Sequence, residues 1–346
     1  MRILITSDAA GGVGVVSAEL ARALRARGHQ VRLVVFDPAG AGGAARFRLE
    51  WMDDQGDGSA LAAETERARA HLAAEARSFR PEVVHCNQFA FVGAVAGAAS
   101  LLAVHSDVVS WWRGVKAALP PDTGYQRWYF QLARRALQHA AAVVAPTHAA
   151  AADVAASFGW TSPVRVIPNG CEAPTAAPTG VRSGAASVGR LWDQAKQFER
   201  LAEAARMARV EVRVAGDIRH PVSGRAAAPA QGLRWLGQLD REGVARLLAS
   251  SQIYVGASCY EPFGLAALEA AHAGCALLLA DIPSFREVWN DAATYFPSHD
   301  GRQLANALLG MLAAPAAGGA ACARARRLYS AQAMATAYER VYAALA

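Results

Sequence analysis

Long uninterrupted apolar runs are missing from this 346-residue chain, so no stretch of about 20 residues is fit to span a membrane. Cysteine is scarce. Cys86, Cys171, Cys259, Cys275 and Cys322 are odd in number, lie far apart and form no CxxC pair, which predicts reduced thiols in a cytoplasmic protein. The start, Met1-Arg2-Ile3-Leu4-Ile5, reads as a short strand rather than a secretory leader. Charged residues make up 18%, below the usual share of about a quarter. No Lys/Arg block or nucleic-acid signature occurs, so a nucleic-acid partner is not expected. Asp-x-Asp is absent throughout, and with it any expectation of bound Mg²⁺ or Mn²⁺.

What is present is 53% hydrophobic residues, many of them alanine, which suits a folded α/β chain and not a disordered one. The formal charge is +6. Arginines such as Arg22, Arg25 and Arg27 recur at helical spacing, so solvated helix faces account for most of it, with a diphosphate ligand compatible with the excess. A chain this long exceeds the roughly 250–300 residues at which a single core stops growing, and two domains are predicted.

Strands and helices alternate in the first half. Ile3-Leu4-Ile5 reads as a buried strand, Gly11-Gly12-Val13-Gly14 as a glycine-rich loop, and Ser17 to Arg27 as a helix stopped by Gly28. Strands at Val31–Phe36, Val83–His85 and Leu101–Val104 follow, with helices near Ser59–Phe79 and Phe91–Ala99 and an irregular excursion over 38–58. Pro168-Asn169-Gly170 is a turn, and Pro174 to Gly184 reads as a linker. A second series has strands at Val210–Val214, Leu233–Leu236, Ile253–Val255 and Ala276–Leu279. The expected domains are 1–170, a linker at 171–186, a second domain over 187–330 and a C-terminal helix over 331–346. Such a βα series gives a parallel sheet in each half, with a ligand in the cleft near the carboxyl ends of the strands.

The most informative run is Glu261-Pro262-Phe263-Gly264-Leu265-Ala266-Ala267-Leu268-Glu269. It follows a buried strand and opens a helix at about Gly264, whose unpaired amides and positive dipole end suit a phosphate. The two glutamates can hold hydroxyls on opposite sides of that phosphate, as a nucleotide sugar requires. Arg190 and Lys196, at the end of the first strand of the second domain and the start of the next helix, supply cations for a diphosphate; each charge-assisted hydrogen bond contributes about 1.5–3 kcal/mol.

Glu261 through Glu269 has the E-x7-E spacing, and with Gly189-Arg190 and Lys196 it resembles the family 4 retaining glycosyltransferases. Gly11–Gly14, Pro81-Glu82-Val83-Val84-His85, Val104-His105-Ser106 and Val166–Gly170 resemble further motifs of that family in the same order, so the resemblance covers the whole chain. It implies the GT-B fold, two Rossmann-like domains facing across a cleft, with the C-terminal helix crossing back to the N-domain. It implies a hexosyltransferase moving a sugar from a UDP- or GDP-sugar to a hydroxyl acceptor with retention and no metal or other cofactor. By the resemblance, Arg190 and Lys196 stabilise the leaving diphosphate, Glu261 binds the transferred sugar, and the amides of Phe263, Gly264 and Leu265 bind phosphate. Glu269 would hold the ribose, His105 the sugar's C6 hydroxyl, Gly12 and Gly14 the donor phosphates or the acceptor, and backbone at Gly237 the base. Two features depart from the family: Gly274-Cys275-Ala276-Leu277 lacks the usual proline, and Lys196 stands one position further from Arg190 than in many members.

The acceptor is expected to be a small molecule, a saccharide or a lipid-linked hydroxyl. Trp111, Trp112, Tyr125, Trp128 and Tyr129, interleaved with Arg113, Lys116 and Arg127, fit an acceptor pocket, a peripheral contact with the inner face of a membrane, or plain core packing. One rival is a nicotinamide-dependent oxidoreductase, since Gly12-x-Gly14-x-x-Ser17 with Asp37 imitates the dinucleotide fingerprint. A nucleotide-sugar epimerase, a phosphorylase and a non-catalytic nucleotide-sugar binder are the others.

Overall fold

The computed structural model describes residues 1–9, 11–37, 45–47, 58–173, 182–220, 223–227, 231–314 and 318–346. The chain divides into two compact units, Met1–Gly170 with Ala331–Ala346, and Cys171–Ser330.

The first unit runs β1 (Arg2–Asp8), α1 (Gly11–Ala26), β2 (Gln30–Asp37), β3 (Ala45–Arg46), α2 (Gly58–Phe79), β4 (Val83–Cys86), β5 (Ala99–Ala103), α3 (Val108–Lys116), α4 (Gly124–His139), β6 (Ala142–Ala145), α5 (His148–Phe158) and β7 (Arg165–Val166). All its strands pair in parallel, in the order β3-β2-β1-β4-β5-β6-β7. Continuous apolar strands such as Ile3–Ile5, buried on both faces, are what a parallel sheet covered by helices requires. Side-chain caps start several helices: Asp107, Thr123 and Thr147 each accept a hydrogen bond from the backbone three residues on.

The second unit runs β8 (Ala185–Val188), α6 (Phe198–Ala208), β9 (Val212–Ala215), β10 (Leu233–Trp235), α7 (Arg241–Ala249), β11 (Ile253–Gly256), α8 (Leu265–His272), β12 (Ala276–Ala280), α9 (Pro283–Trp289), β13 (Thr294–Phe296), α10 (Gly301–Ala313) and α11 (Gly319–Leu328). Its parallel order is β10-β9-β8-β11-β12-β13. The last helix, α12 (Ala331–Leu345), belongs to the first unit and packs on α1. There Glu339 takes both Arg27 Nε and Nη2, at 2.8 and 2.6 Å, and pairs with His29 Nε2 at 2.8 Å.

Two sequence expectations need correction. Gly11–Gly14 is no loop but the first turn of α1. The helix expected at Phe91–Ala99 is a single 3-10 turn at Phe89–Phe91 followed by bends, with Gly93 and Gly97 at φ 71° and 76°, backbone that a helix cannot use. Trp111, Tyr125 and Tyr129 lie in the core, with Trp112 and Trp128 partly buried against it, so packing explains the first three rings. The excursion over 38–58 lies outside the described residues apart from 45–47 and 58, as do residues 174–181 of the linker.

Candidate functional site

In both sheets the strand order reverses direction at one place, between β1 and β4 and between β8 and β11. Loops leaving the carboxyl ends of such neighbours diverge to opposite faces and leave a crevice. Arg190, Lys196 and Glu261 follow the strands at the second of these places, whereas Gly237 follows the edge strand β10.

In the second unit, Gly189 and Arg190 follow β8. Arg190 donates to Asp193 Oδ2 at 2.6 Å, and its guanidinium lies 5.1 Å from the Trp192 ring centroid. Asp193 is buried and also accepts from the Ala195 amide at 3.0 Å, starting the 3-10 turn Gln194–Lys196. That turn aims Lys196 at Glu261, and the ammonium pairs with Glu261 Oε2. The Cys259 amide donates to Ala195 O at 2.9 Å, tying the loop after β11 to the loop after β8. Arg190 and Lys196 are therefore both held by carboxylates on the crevice side of the sheet.

Glu261 is fixed from behind as well, since Ser284 Oγ donates to its carbonyl. Gly264 then caps α8 at φ 92°, where a Cβ would stand 2.5 Å from Phe285 Cε1. Both facts require glycine. Without a side-chain cap, the leading amides of α8 at Leu265 and Ala266 lack intrahelical acceptors and point their dipoles outward. Phe263 is buried edge-on against Tyr329, which anchors the turn. Glu269 stands one turn further along α8 than Leu265. Burial raises the Tyr254 phenol above its ordinary range, and the charges of Glu261 and Glu269 add to the rise, so both carboxylates act on one buried hydroxyl.

Beside this pair, Gly189, Gly216 and Gly237 form a glycine step across the ends of β8, β9 and β10. Gly216 has φ 148° and a Cβ on it would fall 1.7 Å from Gly189 O, while its amide donates to Gly237 O at 3.0 Å. Trp235 Nε1 donates to Gly216 O, and Trp192 meets His220 edge-on at 4.5 Å. Asp217 accepts from the Arg219 amide and so caps its own loop.

In the first unit, the switch point carries a polar network. Gly14 opens α1 so close to β1 that a Cβ would lie 2.8 Å from Asp8 O, and Gly12 is exposed in the same turn. Ser17, in the place of a third glycine, donates to Val13 O and accepts from Asn87 Nδ2 at 3.0 Å. Thr6 donates to Gln88 Oε1, and Gln88 Nε2 to Asp8 Oδ1, both at 2.6 Å. His105, half-buried just after β5, lies 2.9 Å from Asn87 Oδ1 through Nε2. Desolvation lowers its pKa to about 4.

Sequence reasoning missed Asn87 and Asp193. Each sits within a few residues of a strand's carboxyl end, and a short polar side chain there was the available signal.

Residues 10–173 match the family described as Glycosyltransferase Family 4, and residues 183–314 match Glycosyl transferases group 1. The chain belongs to the family 4 glycosyltransferases. The nicotinamide reading falls with that membership. Among solved structures, sucrose-phosphate synthase from Thermosynechococcus elongatus superposes with a TM-score of 0.79 at 18% identity, over 99% of this chain and 98% of that one. HepE from Anabaena, solved with UDP and glucose, gives 0.72 at 14% over the full length of both. These likenesses establish the GT-B fold for this family member. Among curated proteins, phosphatidyl-myo-inositol mannosyltransferase from Mycobacterium leprae is 32% identical over 91 residues, 25% of this chain and 24% of that protein. The Mycobacterium tuberculosis protein of that name is 38% identical over 69 residues, 20% of this chain and 18% of its own length. The matched stretches thus span a quarter or less of these relatives.

Proposed function

We propose that this chain transfers a hexosyl group from a nucleoside diphosphate sugar to a hydroxyl acceptor, with retention and without a metal. The observation that carries the reading is the Lys196–Glu261 pair at the β8/β11 switch point, beside the uncapped start of α8. The bond from C1 of the sugar to the diphosphate oxygen breaks and a bond from C1 to the acceptor oxygen forms on the same face. The acceptor's proton leaves with the diphosphate. Arg190 and Lys196 meet the negative charge that grows on the leaving group, and the amides of Phe263, Gly264 and Leu265 meet the other phosphate oxygens. Holding those cations in place beforehand, as Asp193 and Glu261 do, avoids reorganisation during the reaction. Glu261 takes hydroxyls of the transferred sugar, Glu269 the ribose, and the step at Gly237 the base. From the first unit, His105 takes a substrate hydroxyl, and the amides at Gly12 and Gly14 take phosphate or acceptor.

UDP-sugars and GDP-sugars are the proposed donors; the UDP and glucose named for HepE and the mannosyl transfer named for the mycobacterial proteins support them. The acceptor is a saccharide or a lipid-linked hydroxyl. No helix among the described residues is long and apolar enough to cross a membrane, and a lipid-linked acceptor would be met by peripheral contact from the cytoplasmic side.

A thermal-shift series with UDP-, GDP- and ADP-sugars, followed by transfer assays in EDTA and NMR of the product, tests this. A donor at 100 times its Kd is expected to add about 2.7 kcal/mol of stability. Transfer should persist in EDTA and the new linkage should keep the donor's anomeric configuration. No response to any nucleotide sugar, or an inverted product, would overturn the proposal. Turnover without acceptor would favour epimerisation instead, and turnover that needs only added inorganic phosphate would favour phosphorolysis.

A further inference from the structure

The carboxamide of Asn87 sits between a backbone carbonyl on one side and two histidine rings on the other. Its Nδ2 lies 2.6 Å from Thr6 O and 3.0 Å from Ser17 Oγ. A carbonyl oxygen only accepts, so the NH₂ group must face Thr6, and Oδ1 must face away. The Asn87 backbone amide, donating to Thr6 Oγ1 at 3.0 Å, ties the residue to β1 a second time.

Turned this way, Asn87 Oδ1 meets His85 Nε2 at 3.1 Å and His105 Nε2 at 2.9 Å. An amide oxygen cannot donate, so each Nε2 carries the hydrogen. In a neutral imidazole that leaves Nδ1 bare on both rings. The lone pair of His85 Nδ1 is used: Tyr342 Oη of α12 lies 2.6 Å from it and donates. His105 Nδ1 makes no hydrogen bond to the described residues. Burial keeps both rings uncharged at neutral pH, lowering His85 to about 3 and His105 to about 4.

We infer that Asn87 is a positioning residue that fixes His105 as the Nε2–H tautomer, so that His105 Nδ1 accepts a hydrogen bond from a substrate hydroxyl and cannot donate one. This deepens the reading above and rests on it for the identity of the substrate. The recognised group must carry its own hydrogen. A sugar with fluorine or a methoxy group in place of that hydroxyl offers acceptors only, and two acceptors facing each other repel. The chain of contacts Tyr342, His85, Asn87, His105 also gives the C-terminal helix a stake in the site, through His85.

The tautomer is read directly by long-range ¹⁵N–¹H NMR of histidine-labelled full-length protein, which distinguishes a protonated ring nitrogen from a bare one. His105→Gln identifies the ring by the signals it removes. The expected spectrum of the resting wild type shows His105 with hydrogen on Nε2 and a bare Nδ1; hydrogen on Nδ1 would overturn the inference whatever the variants do. Asn87→Leu is expected to let the second tautomer appear and to lower kcat at least tenfold, while an unchanged tautomer would refute the role of Asn87. Asn87→Asp keeps an acceptor for both Nε2–H groups but sets a second oxygen against the Thr6 carbonyl, so it should hold the tautomer less firmly than wild type, and its charge should move the acid limb of the rate profile toward neutral pH. The spectrum needs no turnover: a protein that binds no nucleotide sugar yet shows Nε2–H defeats the transferase reading and leaves the tautomer assignment standing.

Discussion

Replacing Lys196 by Met keeps the aliphatic stem and removes the ammonium, which isolates the charge of the Lys196–Glu261 pair. The two side chains are 19% and 17% exposed, so the pair lies between the measured limits for ion pairs. Exposed pairs contribute about 0.2–1 kcal/mol, whereas removing one member of a buried pair costs about 3–5 kcal/mol because a charge is stranded. An interaction energy of about 1–2 kcal/mol between the two positions is expected from a cycle of Lys196→Met, Glu261→Gln and the double variant. Urea unfolding measures it, with the midpoint moving and the slope unchanged. Turnover should suffer more than stability. Losing a donor aimed at transition-state charge lowers kcat by about 10²–10³. That loss should persist in the double variant, which repairs the stranded charge but not the missing ammonium. A coupling indistinguishable from zero together with normal turnover in Lys196→Met would refute both the pair and its catalytic place.

Gly216→Ala should destabilise the protein by roughly 3 kcal/mol or more, because the methyl group has nowhere to go but into Gly189 O at 1.7 Å. Gly310→Ala, in α10 with open space around it, should instead stabilise by about 0.5–1 kcal/mol; equal effects in urea unfolding would show that the glycine step is not closed. Buried His85 and half-buried His105 make stability depend on pH. His85 and His105 titrate near 3 and 4 when folded against 6.5 in the unfolded chain, so protons bind the unfolded state first. Stability is lost as pH falls from about 6.5 toward those values, by on the order of 3 kcal/mol for His105, and it is unaffected above pH 6.5. His105→Gln should flatten the curve over that range relative to wild type, and parallel curves would contradict the lowered value.

The sequence by itself determined the repeating pattern of this protein. Continuous apolar runs at Ile3–Ile5 and Ala276–Leu279 read as strands buried on both faces, and strands of that kind separated by helices make parallel sheets. It also singled out Glu261, Gly264 and Glu269, because a helix start with a glycine cap and no side-chain cap is written in adjacent residues. Local signals failed where two structures share one composition. Gly11–Gly14 as a loop and Gly11–Gly14 as the opening turn of α1 look alike in sequence, and the choice is made by the close approach of Gly14 to Asp8 O. Only the tertiary structure decided which side chains meet. Lys196 finds Glu261 across 65 positions and His85 finds Tyr342 across 257, because strand order, not chain order, brings β8 beside β11 and returns α12 to the first unit. Asn87 gains its meaning in the same way: an ordinary polar residue after a strand becomes the hinge of a network only when Thr6, His85 and His105 converge on it. Hydrogen bonds between residues so far apart leave no periodic trace in a sequence, since their spacing is set by the fold and not by the pitch of any helix or strand.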